Sequence, residues 1–183
     1  MRLSVEREIC RMGNPILRIT AEKVVVSELN TQDFKGLLED MYESMKESHG
    51  IGIAAPQIGV SKQVALIELG SINRYGEVID LPLTTFINPE IEIIDETTQG
   101  FWEGCLSVPG MRGFVERPRH IKVRFLNEKG EEQILEAEGF LATVIQHELD
   151  HLFGTLYVDR IKDPKLFMFQ EEFEKYIQQA AID

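Results

Sequence analysis

Apolar residues recur at helical spacing from about Thr31, where Phe34, Leu37, Leu38, Met41 and Met45 fall on one face, and the pattern predicts a helix that stops at Ser48-His49-Gly50. Ahead of it, Gly13-Asn14-Pro15 reads as a turn leading into Ile16-Leu17. The period then changes. Residues 64–69, 85–87, 91–94, 121–126 and 133–137 are short runs rich in β-branched side chains and bounded by turn residues. With Asn127-Glu128-Lys129-Gly130 as a hairpin-type connection, they predict a β-rich meander. From Gly139 the helical period returns through Leu141, Val144, Ile145, Glu148, Leu149 and Leu152, and Gly154 closes it. A last helix, about 164–180, is predicted after Asp163-Pro164, with Leu166, Phe169, Phe173, Tyr176 and Ile177 on one face. Helix, then strands, then helices is an α+β pattern.

The 183 residues contain no repeat, low-complexity tract or Gly/Ser linker, so one domain over 1–183 is expected. With 43% hydrophobic and 27% charged residues the chain can fill a core and cover it, which excludes a disordered chain. Lys and Arg number 19 against 31 Asp and Glu, a net charge of −12, and no basic block occurs. General electrostatic binding to nucleic acid or an anionic membrane is disfavoured. Glu6, Arg7 and Glu8 stand where a secretion signal would need its apolar core. The most apolar stretches, 51–60 and 140–145, fall well short of the roughly 20 residues that span a bilayer. A cytoplasmic protein is expected, in which Cys10 and Cys105, the only cysteines, stay free thiols.

The sharpest chemical signal is Gln146-His147-Glu148-Leu149-Asp150-His151, a His-Glu-x-x-His motif within the predicted helix. Residues four apart share a helix face, so both imidazoles can bind one metal ion with Glu148 beside them. By composition alone such a match arises in roughly one chain of this length in a few hundred. Asp150 reads either as a solvated acid or as an acceptor that orients a ligand. A catalytic metal wants a third protein ligand, and the downstream Leu152-Phe153-Gly154-Thr155-Leu156 offers none. The remaining soft donor is Cys105, in Trp102-Glu103-Gly104-Cys105-Leu106-Ser107-Val108-Pro109, where a turn would expose both its sulfur and a neighbouring backbone N–H. Taken alone, Cys105 reads better as a small buried hydrophobe than as a ligand, and Cys10, which lacks such a setting, is assigned to packing. The run from Gly50 to Gln57 has glycines that permit close backbone approach and ends in an amide donor.

Gly50-Ile51-Gly52-Ile53-Ala54-Ala55-Pro56-Gln57, Glu103-Gly104-Cys105-Leu106-Ser107 and His147-Glu148-Leu149-Asp150-His151, in that order, resemble the motifs of the peptide deformylase family. The likeness extends from about residue 8 to 160, including Gly13-Asn14-Pro15-Ile16-Leu17-Arg18. It implies a divalent metal held by Cys105, His147 and His151, generally ferrous iron, Fe(2+), with zinc, nickel or cobalt able to replace it. It implies Glu148 as acid and base, and the Gln57 amide with the Leu106 N–H as donors to the reacting carbonyl oxygen. The expected fold is α+β, antiparallel β-sheets around a central metal-binding helix, with an N-terminal and a C-terminal helix. The expected activity is removal of the formyl group from N-formylmethionyl peptides and nascent chains.

An extended substrate is expected between Gly50-Ile51-Gly52 and the loop after Pro109, with Glu103 and Gly104 also at the site. Ile51, Phe101, Phe140 and Val144 are candidates for the methionine pocket and are equally readable as core. Arg112 is either a contact for the peptide or a solvated charge. Family members that dock on the ribosome through a basic C-terminal helix differ from this chain, where Glu171, Glu172, Glu174 and Asp183 outnumber Lys175. A metallopeptidase is the competing reading, and the Cys105 motif argues against it.

Overall fold

The computed structural model of the chain describes residues 7–70 and 79–179; Glu6, residue 180 of the expected last helix and Asp183 lie outside them. Helix α1 spans Gln32–Glu47, with the Thr31 hydroxyl accepting the Phe34 N–H at its start. It packs Phe34, Leu37, Met41 and Met45 onto the sheet, as the spacing predicts. Strands β1 (Gly52–Ala54), β2 (Val64–Leu69), β3 (Leu81–Cys105), β4 (Val108–Leu126) and β5 (Glu132–Glu138) pair in that order, each antiparallel to the next. Helix α2 covers Gly139–Asp150. The order is α+β, and among the described residues no helix is long and apolar enough to cross a membrane.

The near-continuous apolar run of β2 has a packing reason. Val64 and Leu66 face α1, while Ala65 and Ile67 face α2, so the strand is buried on both sides. The second layer continues through Phe86 and Phe125, whose rings meet at 4.4 Å, to Ile121, Val123 and Ala137 beneath Ile145 and Leu149. Helix α2 therefore enters the centre of the molecule, buried from Ala142 to Glu148 and beyond to Leu149. After α2, Gly154 turns with φ 73°, and a Cβ there would lie 2.7 Å from the Arg18 carbonyl carbon.

Three expectations need correction. The runs 85–87 and 91–94 are not separate strands; both belong to β3, joined through a register shift at Asn88-Pro89. Asn88 takes φ 50° and its amide bonds both ways with the Val24 backbone at 2.8 Å, so a proline that could not sit in a regular ladder is carried by a bulge. The segment after Pro109 is not a loop but the start of β4, and the Cys105 motif closes a tight hairpin in which Cys105 pairs with Val108. Nor does the last helix begin after Pro164: Pro164–Leu166 is a single 3₁₀ turn and Phe167–Phe169 forms strand β6 against Met111, Arg112 and Gly113. Helix α3, Gln170–Phe173, follows and widens into a π-helical turn, Glu174–Gln178. Three consecutive residues whose alternate members face a free strand edge satisfy their backbone groups by pairing, which overrides helical spacing.

Candidate metal centre

His147, in the last turn of α2, and His151, its C-cap residue, lie on one face with ring centroids 5.3 Å apart. The β3–β4 hairpin brings Cys105 to the same face, and one donor atom from each of the three residues lies within 4.8 Å of the others. Cys105 Sγ is 3.3 Å from His151 Nε2. Tetrahedral ligation with arms of about 2.3 Å to sulfur and about 2.0 Å to nitrogen would separate such atoms by about 3.5 Å, so the set fits a divalent cation of the transition series. Glu148 is not in this trio.

Behind the trio lies a buried ionic chain. His147 Nδ1 donates to Glu103 Oε2 at 2.7 Å, which turns Nε2 toward Cys105 and His151. Glu103 in turn receives Arg117 Nε at 2.6 Å and Nη2 at 3.0 Å, and Arg117 Nη1 donates to Asp150 Oδ2 at 2.8 Å. Arg160 completes the chain on Asp150. Burial opposes the Glu103 charge, yet His147 and Arg117 outweigh it and hold the carboxyl below its ordinary range. Burial likewise opposes a charged His147, and the hydrogen bonds it donates to Cys105 and Glu103 lift it well above the imidazole range. His151, with burial and then the charges of His147 and Arg117 acting against its proton, is held well below that range. The Tyr157 ring stacks on His147 with centroids 5.9 Å apart.

Asp150 is therefore neither a solvated acid nor a direct acceptor from a ligand; it steadies the arginine that steadies Glu103. Arg117, which sequence reasoning missed, is 2% exposed. Its signal was register: Gly113, Val115 and Arg117 are alternate positions of β4, and a charge on that inward row announces a buried ion pair. Replacing Arg117 by Met leaves Glu103 buried without its cation, and a loss of about 3–5 kcal/mol is expected in urea unfolding of equally metal-loaded proteins. A loss below 1 kcal/mol would contradict this ~3–5 kcal/mol expectation for a broken buried pair.

A cleft of about 1120 Å³ opens onto Cys105 and His147 of the trio. Gly50, Ile51, Gly52 and Gln57 line one side, Glu103, Gly104, Cys105 and Leu106 the floor, and Phe140, Val144, His147 and Glu148 the α2 side. Arg112 also lines it, with its guanidinium over Gly104, where a Cβ would meet Nη1 at 2.1 Å. Phe101 does not reach the cleft wall; it stands behind Phe140, rings edge to face at 5.4 Å. Glu103 borders the cleft but its carboxylate is spent on His147 and Arg117. Cys10 packs at the margin of the cluster formed by Leu17, Val108, Val115, Leu156 and Tyr157.

Two further polar side chains, Gln57 and Glu148, line the same cleft. The Gln57 carbonyl oxygen accepts the Ala54 N–H at 2.8 Å, which sends its Nε2 to Ser107 Oγ at 3.2 Å and toward Cys105 Sγ at 3.6 Å. Glu148 Oε2 is buried and finds no hydrogen-bond partner among the described residues. Burial pushes its carboxyl up to about 7, with His147 opposing and Glu103 assisting. Gly52 is required beside it, because a Cβ there would fall 2.5 Å from Glu148 Oε1.

Comparison with known proteins finds relatives of this chain. A family model described as polypeptide deformylase matches residues 6–166. A peptide deformylase of Leptospira biflexa is 49% identical over 169 residues, 92% of this chain and 94% of its own length. Peptide deformylase 1 of Bordetella pertussis is 43% identical over 164 residues, 89% of this chain and 92% of its own. Among solved structures, the Met-Ala-Ser-bound class I type b peptide deformylase of Acinetobacter baumannii has a TM-score of 0.81 at 38% identity, covering 87% of this chain and 100% of that one. A Synechococcus elongatus peptide deformylase in complex with actinonin has a TM-score of 0.76 at 33% identity over 97% of this chain and 93% of that one.

Proposed function

Since the chain belongs to the polypeptide deformylase family, we propose that Cys105, His147 and His151 hold its metal, that Glu148 moves the protons, and that Gln57 and Leu106 bind the reacting oxygen. The protein is a hydrolase that removes the formyl group from N-terminal formyl-methionine of newly made peptides. It uses a divalent metal, for which the thiolate and two imidazoles are the donors. Ferrous iron is the ion we assign, on the likeness to deformylases and on a donor set that also suits zinc, nickel and cobalt.

When bound, the ion supplies Lewis acidity to a carbonyl and lowers the pKa of water. Glu148 does the rest of the proton work at one atom. Its unpartnered Oε2 takes a proton from the attacking water and returns it to the leaving amine nitrogen, and a carboxyl raised to about 7 can do both near neutral pH. Gln57 Nε2, aimed by the Ala54 N–H on the other end of the amide, donates to the oxygen as negative charge builds on it. The Leu106 N–H, in the hairpin turn next to Cys105, is its companion donor. Gly50, Ile51 and Gly52 face the peptide backbone, and Ile51, Phe140 and Val144 border the methionine side chain. The observation that carries the reading is a buried carboxylate oxygen of Glu148, without a partner among the described residues, on the residue next to His147 of the Cys-His-His trio. An acidic C-terminal segment, Glu171, Glu172 and Glu174 against Lys175, argues against ribosome docking through that helix.

The test compares formyl-Met-Ala-Ser with acetyl-Met-Ala-Ser on protein purified without air and analysed for metal. Iron at about one per chain is expected, together with a formyl preference in kcat/KM above the roughly 10–200-fold that one methylene earns in an apolar pocket. The carbon attacked carries only hydrogen in a formyl group, whereas an acetyl methyl must fit among Gln57, Glu148 and the ligands and makes the carbonyl less electrophilic. Comparable rates for the two peptides would favour a general amide hydrolase.

A further inference from the structure

The two donors assigned to the reacting oxygen sit on different parts of the fold. Gln57 belongs to the 3₁₀ turn Ala55–Ile58 that follows β1, whereas Leu106 lies in the hairpin between β3 and β4. In the sheet β2 stands between β1 and β3, so among the described residues no strand ladder joins the two donors directly. An oxyanion donor works only at about 2.7–3.1 Å from its oxygen, and the gap between the two has to be held by other contacts. The N-terminal segment spans it. Cys10 N–H donates to the Gln57 backbone carbonyl at 2.7 Å, and two residues on Met12 N–H donates to the Ser107 carbonyl, also at 2.7 Å. Gln57 Nε2 then donates to Ser107 Oγ at 3.2 Å, which closes a ring of three hydrogen bonds through two buried side chains.

The ring decides where the Gln57 amide points. Its oxygen is held by the Ala54 N–H and one of its two N–H bonds by Ser107, which leaves the other on the Cys105 side of the amide. The segment is itself anchored at both ends. Arg7 donates its backbone N–H to Ser44 Oγ at 2.8 Å and its guanidinium to Asp40 Oδ2 at 2.8 and 2.9 Å, and both acceptors are buried on α1. At the far end Asn14 N–H bonds the Arg11 carbonyl at 2.9 Å and Gly13 takes φ 109°, a turn with Met12 in its second place. Resting on the assignment of Gln57 and Leu106 to the reacting oxygen, we propose that residues 10–12 are a strap that holds these two donors in register, with Met12, through its backbone N–H, and Ser107 as positioning residues for hydrolysis. Met12 does not line the cleft and acts only through the groups it holds.

The experiment measures kcat, KM and metal content of metal-loaded full chains with formyl-Met-Ala-Ser. Met12→Pro exchanges the donor N–H for a ring carbon that pushes the Ser107 carbonyl away, and the second place of a turn followed by a glycine at positive φ suits proline. Met12→Ala keeps the N–H and is the control. Met12→Pro lowers kcat by about 10–10²-fold, less than the loss of a whole oxyanion donor at its upper range, with KM and metal content unchanged, as expected when a contact made only in the transition state is misplaced. Met12→Ala keeps the parent values. Ser107→Ala opens the same ring at its side-chain bond and lowers kcat to a like extent. In a Gln57→Ala background the proline lowers kcat by no more than about threefold, since one of the two groups it would misplace is gone, whereas general loosening of the fold would act alike in both backgrounds. A parent-like kcat in Met12→Pro or Ser107→Ala, or an equal loss in both backgrounds, would overturn the strap. Absence of formate release by the parent protein would overturn the deformylase reading, and a parent-like kcat in Gln57→Ala the oxyanion assignment, each taking the strap with it.

Discussion

Glu148→Ala leaves the metal in place and lowers kcat for a formylated peptide by about 10²–10⁴-fold, the usual cost of removing a general acid and base. The carboxylate lies outside the Cys105, His147 and His151 trio, so truncation removes no donor atom. It does remove the buried oxygen, unpartnered among the described residues, to which the proton transfer is assigned in the proposed mechanism. The fold gains rather than loses from the change, because the charged form of a buried carboxyl without a partner is costly. Metal content and unfolding midpoint therefore stay at or above the parent values while turnover collapses. A variant that kept its metal and half its activity would remove Glu148 from the reaction. Loss of metal together with activity would instead make Glu148 a ligand.

Cys105→Ala has the opposite signature, with metal affinity falling by more than the roughly 10–100-fold that loss of a group supporting a ligand costs. Two imidazoles on one helix turn remain, and they leave a divalent ion with too few protein donors to outlast dialysis. Activity falls with the metal and recovers in part when excess metal is supplied. Cys10→Ala is the internal control: its sulfur sits at the edge of an apolar cluster and belongs to no donor set among the described residues. Full metal stoichiometry in Cys105→Ala after dialysis against a chelator would break the three-ligand arrangement.

Parts of this architecture lie open in the primary structure because they depend on neighbours in the chain. The α1 stripe, the apolar run of β2 and the return of helical spacing at Gly139 needed only period and punctuation. The pairing of His147 with His151 is a property of any helix that contains them. The tail departs from its helical pattern for a related reason: Phe169, Phe173 and Ile177 do keep helical spacing, but Phe167–Phe169 lies against an open edge of β4, and only the sheet reveals that edge.

What the amino-acid sequence determined by itself was the chemistry on offer: a thiol, two imidazoles one turn apart, a carboxylate between them, and the motif order that carries the family likeness. Tertiary structure alone decided how those groups behave. Cys105 and His151 are 46 residues apart in the chain and come within 3.3 Å only because a long hairpin folds back beside α2. Glu103, Arg117 and Asp150 give no local sign of one another, yet they form the buried ionic chain behind His147. Glu148 acquires a carboxyl near 7 from burial, a quantity that no stretch of sequence carries. Spacing along a helix is fixed by covalent geometry, whereas burial, charge pairing and the reach of a cleft belong to surfaces that exist only once distant strands have met.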